Sequence, residues 1–400
     1  MTLANGRPYL AIPGPSVMPD RVLAAMHRAA PNIYAGDLHR IVDTILPDLR
    51  RVARTVQGVA IYVGNGHAAW EAALANLFSR GDRALSLITG QFGIGWANSA
   101  EAMGVSIDRI DFGKAAPADP ARLEAALRAD RQHSIKAVLV THVDTATSLR
   151  NDLAALRAAI DAAGHPALFV VDAIASLGCD PIEMDAWGID VLLAASQKGL
   201  MTPPGLAFVW FGERARQMAD TADLRTPYWD WRPRSKPEQF SQLFCGTAPT
   251  HHLFGLREAL TMILADEGLE AVWARHAALA SAVWAAVDAW GEAGPMTLNV
   301  ADPAHRGHAV TTIAIGSPNG TALRDWVETR AGVTLGIGLG MAPAGDPAWH
   351  GFFRIAHMGH VNAHMVLGAL GAIEAGLTAL DIPHGGGGVA AAARAIARKA

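Results

Sequence analysis

The sequence predicts an α/β fold built on a mainly parallel sheet with helices on both faces. Three observations carry this prediction. Strand-length apolar runs alternate with helical patterns from residue 60 to residue 211, the rhythm of repeated βα units. The runs at 168–171 and 190–195 are, after the leading Asp190, apolar without alternation, as strands buried on both faces are. Each run ends in residues foreign to an apolar interior: Asp172 after the first, Ser196-Gln197-Lys198 after the second. Charges at buried strand ends are costly unless a partner or a reaction uses them. Ligands of open α/β sheets collect outside the carboxyl ends of the strands, so Asp172 and Lys198 are expected to meet one cofactor there.

In chain order, residues 1–20 form a Pro/Gly-rich arm in which Ile12-Pro13-Gly14-Pro15-Ser16 must turn or extend. Such an arm either packs on the surface or covers a site, and composition leaves both open. Pro19 and Asp20 open an amphipathic helix at 21–29, and 37–56 reads as a second helix. A strand at 60–63 precedes Gly64-Asn65-Gly66-His67 and a helix at 68–78. A strand-to-helix turn of this kind leaves backbone N–H groups pointing outward, ready for an anion. It is neither G-x-G-x-x-G nor a P-loop, and alone it is more often an ordinary tight turn.

Strands at 83–88, 106–110 and 137–140 then alternate with helices at 93–103, 120–128 and 152–163, and a strand at 206–211 closes the series. The strand ends at Gly64, His142, Asp172 and Ser196 are expected to share one rim. Residues 212–250 read as irregular and aromatic, with Tyr228, Trp229 and Trp231 near Arg225, Arg232 and Arg234. A long helix at 251–290, broken near Glu267-Gly268, leads to strands at 310–315 and 333–335 around a helix at 321–330. A Gly/Pro loop at 336–351, the stretch from Phe352 to Gly359 and a helix at 363–380 follow, and 385–388 detach an alanine-rich tail. The expected division is an arm at 1–20, a large domain at 21–265, a smaller domain at 266–384 and a tail at 385–400.

Composition narrows the function. The chain has 400 residues, 51% hydrophobic and 18% charged, which describes a packed protein with an ample core. A net charge of -4 offers no basic field for nucleic acid or an anionic membrane, so the Arg/Trp stretch is read as an interface or a site lining. Two cysteines, Cys179 and Cys245, are too few for a disulfide framework or a structural zinc site, and no metal is expected. The N-terminus lacks a basic start followed by an apolar core, and no apolar run reaches the spanning length of ~20 residues. A cytoplasmic protein is expected.

The chemistry follows from residue types. Burial lowers a lysine's pKa and frees the amine to attack a carbonyl. An aspartate facing a pyridine nitrogen keeps that nitrogen protonated and makes the ring an electron sink. In isolation Lys198 is a surface lysine at a helix start and Asp172 a helix N-cap. Their joint occurrence with an anion turn upstream favours Schiff-base chemistry. Arg354, set between Phe352-Phe353 and Ile355-Ala356-His357, needs a fixed anionic partner, either a structural carboxylate or a substrate carboxylate. The Gly-rich approach on its N-terminal side favours the substrate.

These residues resemble the class V aminotransferases of fold type I, and among them the alanine–glyoxylate and serine–glyoxylate (serine–pyruvate) group. The resemblance spans PGPS, GNGHAAWEAAL, TGQFG, THVDTAT, VVDAIASLG, SQKGLMTPPGL, GTAP ahead of LREAL, and FRIAHMG. It implies a large domain with a mainly parallel seven-stranded sheet, a smaller α+β C-terminal domain, and pyridoxal 5'-phosphate as cofactor. It implies that Lys198 bonds to the cofactor and carries the substrate proton, and that Asp172 partners the pyridine nitrogen. By the same resemblance Asn65, Gly66 and His67 form the phosphate turn and Gln197 is a neighbouring phosphate ligand. Phe92 stacks on the ring, Thr145 lies in the loop beneath it, and Arg354 binds the substrate α-carboxylate. Thr247 matches a threonine that reaches the partner subunit's cofactor phosphate, which implies a homodimer with a shared site.

The pattern departs from the family at several points. Asn65 stands where many relatives carry Ser or Thr, and Ala146 removes a hydroxyl that some have. Phe244 replaces a tyrosine that in some relatives contacts phosphate across the dimer, and Ala356 replaces the glycine of RIG. The loop at 340–351 is longer than in the glyoxylate enzymes. The expected activity is transfer of an amino group from serine or alanine to glyoxylate or pyruvate in two half-reactions. Pyridoxamine–pyruvate and aspartate–glyoxylate transamination are the alternatives, the former disfavoured because GNGH holds no acidic residue. A lyase or cysteine desulfurase would need a mobile reactive cysteine, which neither Cys179 nor Cys245 resembles. A catalytically silent binding protein would not need both Lys198 and Asp172.

Overall fold

Runs of Val, Leu, Ile and Ala give the strands of the computed structural model, which describes residues 2–343 and 345–399. The first residue of the arm, one residue of the 336–351 loop and the last residue of the tail lie outside the described residues. In chain order the strands are β1 (Tyr9–Ala11), β2 (Gly58–Gly64), β3 (Arg83–Ile88), β4 (Ser106–Asp111), β5 (Ile135–Thr141) and β6 (Leu168–Asp172). They continue as β7 (Val191–Ala195), β8 (Gly205–Phe211), β9 (Thr297–Leu298), β10 (Val310–Ala314), β11 (Val333–Ile337) and β12 (Phe352–Ala356).

Seven of these form one sheet in the order β2-β8-β7-β6-β5-β3-β4. β7, β6, β5, β3 and β4 pair in parallel, and β8 runs antiparallel to both its neighbours. The expected mainly parallel seven-stranded sheet is present, with β8 as its antiparallel member. Because β2 and β7 both oppose β8, they point the same way, and Gly64, Thr141, Asp172 and Ala195 end on one edge.

The lack of alternation in these strands has a direct cause. Along β5, β6 and β7, Val138, Val140, Phe169, Val171, Leu192 and Ala194 enter one core, while Ala137, Leu139, Leu168, Val170, Val191 and Leu193 enter the core on the opposite face. Both faces are covered, so both must be apolar. The covering helices start where polar caps stop the strand pattern. Asn65 accepts from His67 N at 3.1 Å, Asp119 from Ala121 N at 2.8 Å and Asp152 from Ala155 N at 3.0 Å.

A second sheet has the order β1-β11-β12-β10-β9. Its core joins Ile313, Leu335, Phe353 and Ile355 to the helices Leu269–Gly291 and Ala363–Ala379. The expected break of the long helix is present: Thr250–Thr261 passes through a π turn at Met262–Glu267, and Gly268 at φ 89° starts the next helix. Phe352–Ala356, unassigned from sequence, is a central strand of this sheet.

Three sequence expectations are corrected. The arm contributes β1, which pairs in parallel with β11 and so joins the second sheet. The tail is docked rather than detached. Its helix Gly388–Ala397 packs Val389, Ala392, Ala395 and Ile396 on the second core, and a Cβ on Gly388 would lie 2.2 Å from Trp290 Nε1. The glycines read as a linker, but apolar residues spaced three and four apart already marked a helix with a face to bury.

Residues 212–250 are also more ordered than expected, with helices Glu213–Thr221 and Trp231–Ser235 and a 3-10 turn at Phe240–Leu243. Trp231 is fully buried and stacks on Phe211 with centroids 4.3 Å apart. Arg234 is buried too, donating to Ile61 O at 2.8 Å, Leu243 O at 3.0 Å and Tyr228 O at 2.7 Å. Its guanidinium lies 4.3 Å from the Tyr62 ring centroid and 5.0 Å from that of Tyr228. The aromatic-basic composition is thus interior packing that pins this segment to β2. Arg234→Met leaves three carbonyls without a donor, and denaturant titration is expected to show a loss of about 3 kcal/mol.

Candidate active site

The carboxyl edge of the first sheet holds a cavity of about 200 Å³. Asn65, Gly66, His67, Phe92, Thr145, Asp172, Gln197 and Lys198 all line it, together with Trp70, Thr141, Val143, Ile174 and Ala175. Eight residues singled out from sequence therefore meet in one place. The register explains two of them, because Thr141 pairs with Asp172 and Asp172 with Leu193, so β5 and β6 end level and β7 runs on to Ala195 just ahead of Lys198.

Asp172 is buried, with Oδ1 accepting from Ile174 N at 2.8 Å and Oδ2 from Trp70 Nε1 at 2.9 Å. Burial raises its pKa to about 6, and the two donors only partly offset that cost. Trp70 was missed from sequence. It sits at a helical position facing the sheet, where an indole is ordinarily core, and only the fold shows that its N–H meets a carboxylate.

Lys198 donates from Nζ to Pro13 O, and Ser16 Oγ donates to Lys198 O at 2.7 Å. The arm thus packs against Lys198 beside the cavity, whose lining includes no described residue of the arm. Gly14 has a left-handed φ of 103°, which favours glycine, and a Cβ there would displace the Lys198 amine. Burial lowers the Lys198 pKa from 10.5 to about 8, with Arg354 adding to the effect and Asp172 opposing it.

The Asn65-Gly66-His67 turn opens the helix Gly66–Leu77. The Asn65 side chain occupies His67 N, which leaves the first-turn N–H groups of Gly66 and Ala68 without intrahelical partners. A Cβ on Gly66 would lie 2.7 Å from Ile174 Cδ1, so a larger residue there would displace the Ile174 side chain that lines the cavity. Gln197 Oε1 and Thr141 Oγ1 are buried without a hydrogen-bond partner. Unpartnered polar groups in a cavity wall are expected where an occupant completes them.

Arg354 lies in β12 and is buried, donating from Nε to Ile337 O at 2.6 Å and from Nη1 to Thr145 O at 2.7 Å. Burial lowers its pKa to about 10, with Asp144 acting in the other direction. The guanidinium is anchored by carbonyls rather than by a carboxylate. Of the sequence-selected residues, Arg354 and Thr247 are absent from the cavity wall. Arg354 abuts it through Thr145. Thr247 is exposed on its own chain, ahead of the helix Thr250–Thr261. Phe244 is buried within the chain, 5.7 Å from the Phe240 ring centroid.

The cysteines offer no nucleophile here. Cys179 is buried, and that burial pushes its thiol up to about 12; Cys245 is exposed and outside the cavity. Among the described residues no helix is long and apolar enough to cross a membrane.

The sign of the Lys198 shift sets a pH test. Its folded-state pKa lies below the unfolded value, so the unfolded chain binds more protons between about pH 8 and 10.5. Stability therefore rises with pH across that window. Competitive amine labelling of the cofactor-free protein is expected to give a Lys198 inflection near pH 8, and Lys198→Ala is expected to lose the rise in stability.

The model of the class-V aminotransferase family matches residues 9–356. The serine–glyoxylate aminotransferase of Methylorubrum extorquens is 36% identical, covering 98% of this chain and 96% of its own. The L-aspartate–glyoxylate aminotransferase of Paracoccus denitrificans is 35% identical, covering 95% of this chain and 94% of its own. The crystal structure of pyridoxamine–pyruvate aminotransferase from Mesorhizobium loti superposes with a TM-score of 0.88 at 26% identity, covering 100% of both chains. With that family match, that identity and a fold shared along the whole chain, the protein belongs to the class-V aminotransferases.

Proposed function

We propose that this chain is a pyridoxal-phosphate-dependent transaminase that moves an amino group from a small L-amino acid, serine or alanine, to glyoxylate or pyruvate. One observation carries the reading: a buried carboxylate, Asp172, and a lysine of lowered pKa, Lys198, line one cavity with the first turn of a helix. The residues fit the group. Asp172 suits a protonated pyridine nitrogen, and the N–H groups of Gly66 and Ala68 suit a phosphate. Phe92 supplies an aromatic face, and the unpartnered Gln197 and Thr141 atoms await a polar occupant.

When bound, pyridoxal phosphate supplies a carbonyl carbon open to amines and a ring that accepts electrons. Asp172 contributes a fixed negative charge opposite that ring. A carboxylate raised to about 6 when alone is stabilised as an anion once a cation faces it. Lys198 Nζ is substantially neutral near pH 8, so it can take a proton from the substrate Cα and return one to the product. Arg354, held by two carbonyls, orients a substrate carboxylate through its remaining donors. Pro13 and Gly14 close over the amine and limit water on that side.

Thr247 has no role within its own chain's cavity, and its exposure supports placement in a partner's site. The assembly we propose is a homodimer, acting in the cytoplasm. The relatives in M. extorquens and P. denitrificans differ in named donor at nearly equal identity, so aspartate stands beside serine and alanine as a donor to test. The absence of an acidic residue in Asn65-Gly66-His67 weighs against pyridoxamine as the substrate.

Addition of pyridoxal phosphate is expected to give an absorption band near the visible edge. That band should shift with an amino donor and be lost in Lys198→Ala, with turnover falling on the order of 10³-fold or more. No bound chromophore in the wild-type protein would exclude the assignment. Half-reaction spectra with serine, alanine, aspartate and pyridoxamine identify the donor. Arg354→Gln is expected to raise the KM for the amino acid roughly 10- to 100-fold, the worth of a charge-assisted pair, with a smaller change in kcat.

A further inference from the structure

Asp144 is fully buried, and the chemistry above gives it no role. Its carboxylate gathers backbone donors from two separate segments. Oδ2 accepts from Phe92 N at 2.8 Å and Gly93 N at 3.3 Å, at the start of the helix Gln91–Ala102. Oδ1 accepts from Ala146 N at 2.9 Å. The backbone of Asp144 also closes its own loop, with Ser148 N donating to Asp144 O at 2.8 Å and Asp144 N to Leu149 O at 3.1 Å.

Each tethered segment carries a wall of the site. The first presents Phe92 to the cavity. The second presents Thr145, whose carbonyl accepts from Arg354 Nη1 at 2.7 Å, and Ala146, whose carbonyl accepts from Thr312 Oγ1 in β10 at 2.9 Å. Asp144 therefore stands where the rim of the seven-stranded sheet meets β10 and β12 of the second sheet. Space is reserved for it: a Cβ on Gly90 would lie 2.5 Å from Asp144 Cγ and 2.6 Å from Oδ2.

The donor set also explains why the residue is an aspartate. Every neighbour aimed at the side chain is an N–H, so both oxygens must accept. An asparagine of the same shape would turn an NH₂ toward one of those N–H groups and leave a buried donor unsatisfied. The negative charge also favours the charged form of Arg354 across the loop.

We propose that Asp144 is a positioning residue that locks the Phe92 wall and the loop anchoring Arg354 into one frame, setting cofactor face and substrate carboxylate in register. This rests on the transaminase reading of the site. Asp144 touches neither the cofactor nor the substrate; it acts through Phe92, Thr145 and Arg354.

Asp144→Asn tests this directly. Its cofactor-free form is expected to bind pyridoxal phosphate roughly 10-fold more weakly by quenching of tryptophan fluorescence, and the KM for L-serine to rise about 10-fold with a smaller change in kcat. Thr55→Val is the structural control. It removes the Thr55 Oγ1 bond to Asp185 Oδ1, away from the cavity and from both tethered segments, and should lower the melting temperature while leaving KM and cofactor affinity unchanged. A D144N variant that loses thermal stability but keeps cofactor affinity and KM overturns the proposal. Hydrogen exchange on the wild-type protein gives a second test that needs no variant: peptides spanning 90–93 and 144–147 should open at one rate and slow together when pyridoxal phosphate is added. Independent opening of the two segments also overturns the proposal. Failure of the wild-type protein to bind pyridoxal phosphate would instead remove the transaminase reading, while common opening of the two segments without cofactor that is lost in Asp144→Asn would still show the Asp144 tether.

Discussion

Keeping Asp172 and Lys198 charged or reactive at the end of a dry sheet is the constraint on which the rest of the structure depends. Burial works against both ionised forms, raising the carboxylate to about 6 and lowering the amine to about 8. Neither group contributes much to folding under those conditions, so the surroundings must hold them by geometry. Trp70 and the Ile174 amide hold the carboxylate, and the Pro13 carbonyl holds the amine. The sheet supplies the spacing, because parallel pairing of β5, β6 and β7 ends three neighbouring strands on one edge. A one-residue slip of β6 would turn Asp172 toward the opposite face and empty the site of its carboxylate.

The second sheet completes what the first cannot. Its strand β12 carries Arg354, and its edge strand β1 leads the arm back over Lys198. The loop from Asp144 to Leu149 is where the two halves are joined, by hydrogen bonds from Arg354 and Thr312 on one side and from the helix Gln91–Ala102 on the other. Asp172 and Lys198 on one side and Arg354, the proposed carboxylate-binding group, on the other thus sit on different sheets. Their relative placement is a property of the packed interface rather than of any one segment.

Much of the fold was legible because its determinants are local. Both faces of the central strands are buried, so their apolar runs stand out. Asn65, Asp119 and Asp152 cap helices by bonding to backbone within a few residues. The misreadings share one cause. Trp231 and Arg234 read as an interface or a site lining because Phe211 and Ile61, which bury them, come from strands of the sheet. The tail read as loose because the groove that receives Val389 and Ala392 is built by helices far along the chain. Trp70 and Asp144 escaped notice for the same reason: an indole at a core position and an acid in a loop are ordinary until a distant partner is placed beside them.

What the sequence by itself determined is the set of local features on which the proposed chemistry rests. The order of strands and caps, the strand ends at Asp172 and Lys198 and the turn at Gly66 are written in short stretches whose physics is local. What only the tertiary structure decided is the frame around that chemistry. The arm lies against Lys198, Asp144 ties two walls together, Arg354 is anchored on carbonyls of the β11 end and of the Asp144 loop, and Thr247 is exposed on its own chain. These depend on groups brought together from separate segments, 185 residues apart for the arm and Lys198, 52 for Phe92 and Asp144 and 209 for Thr145 and Arg354, or across a surface, where pairing is set by the packing of whole layers.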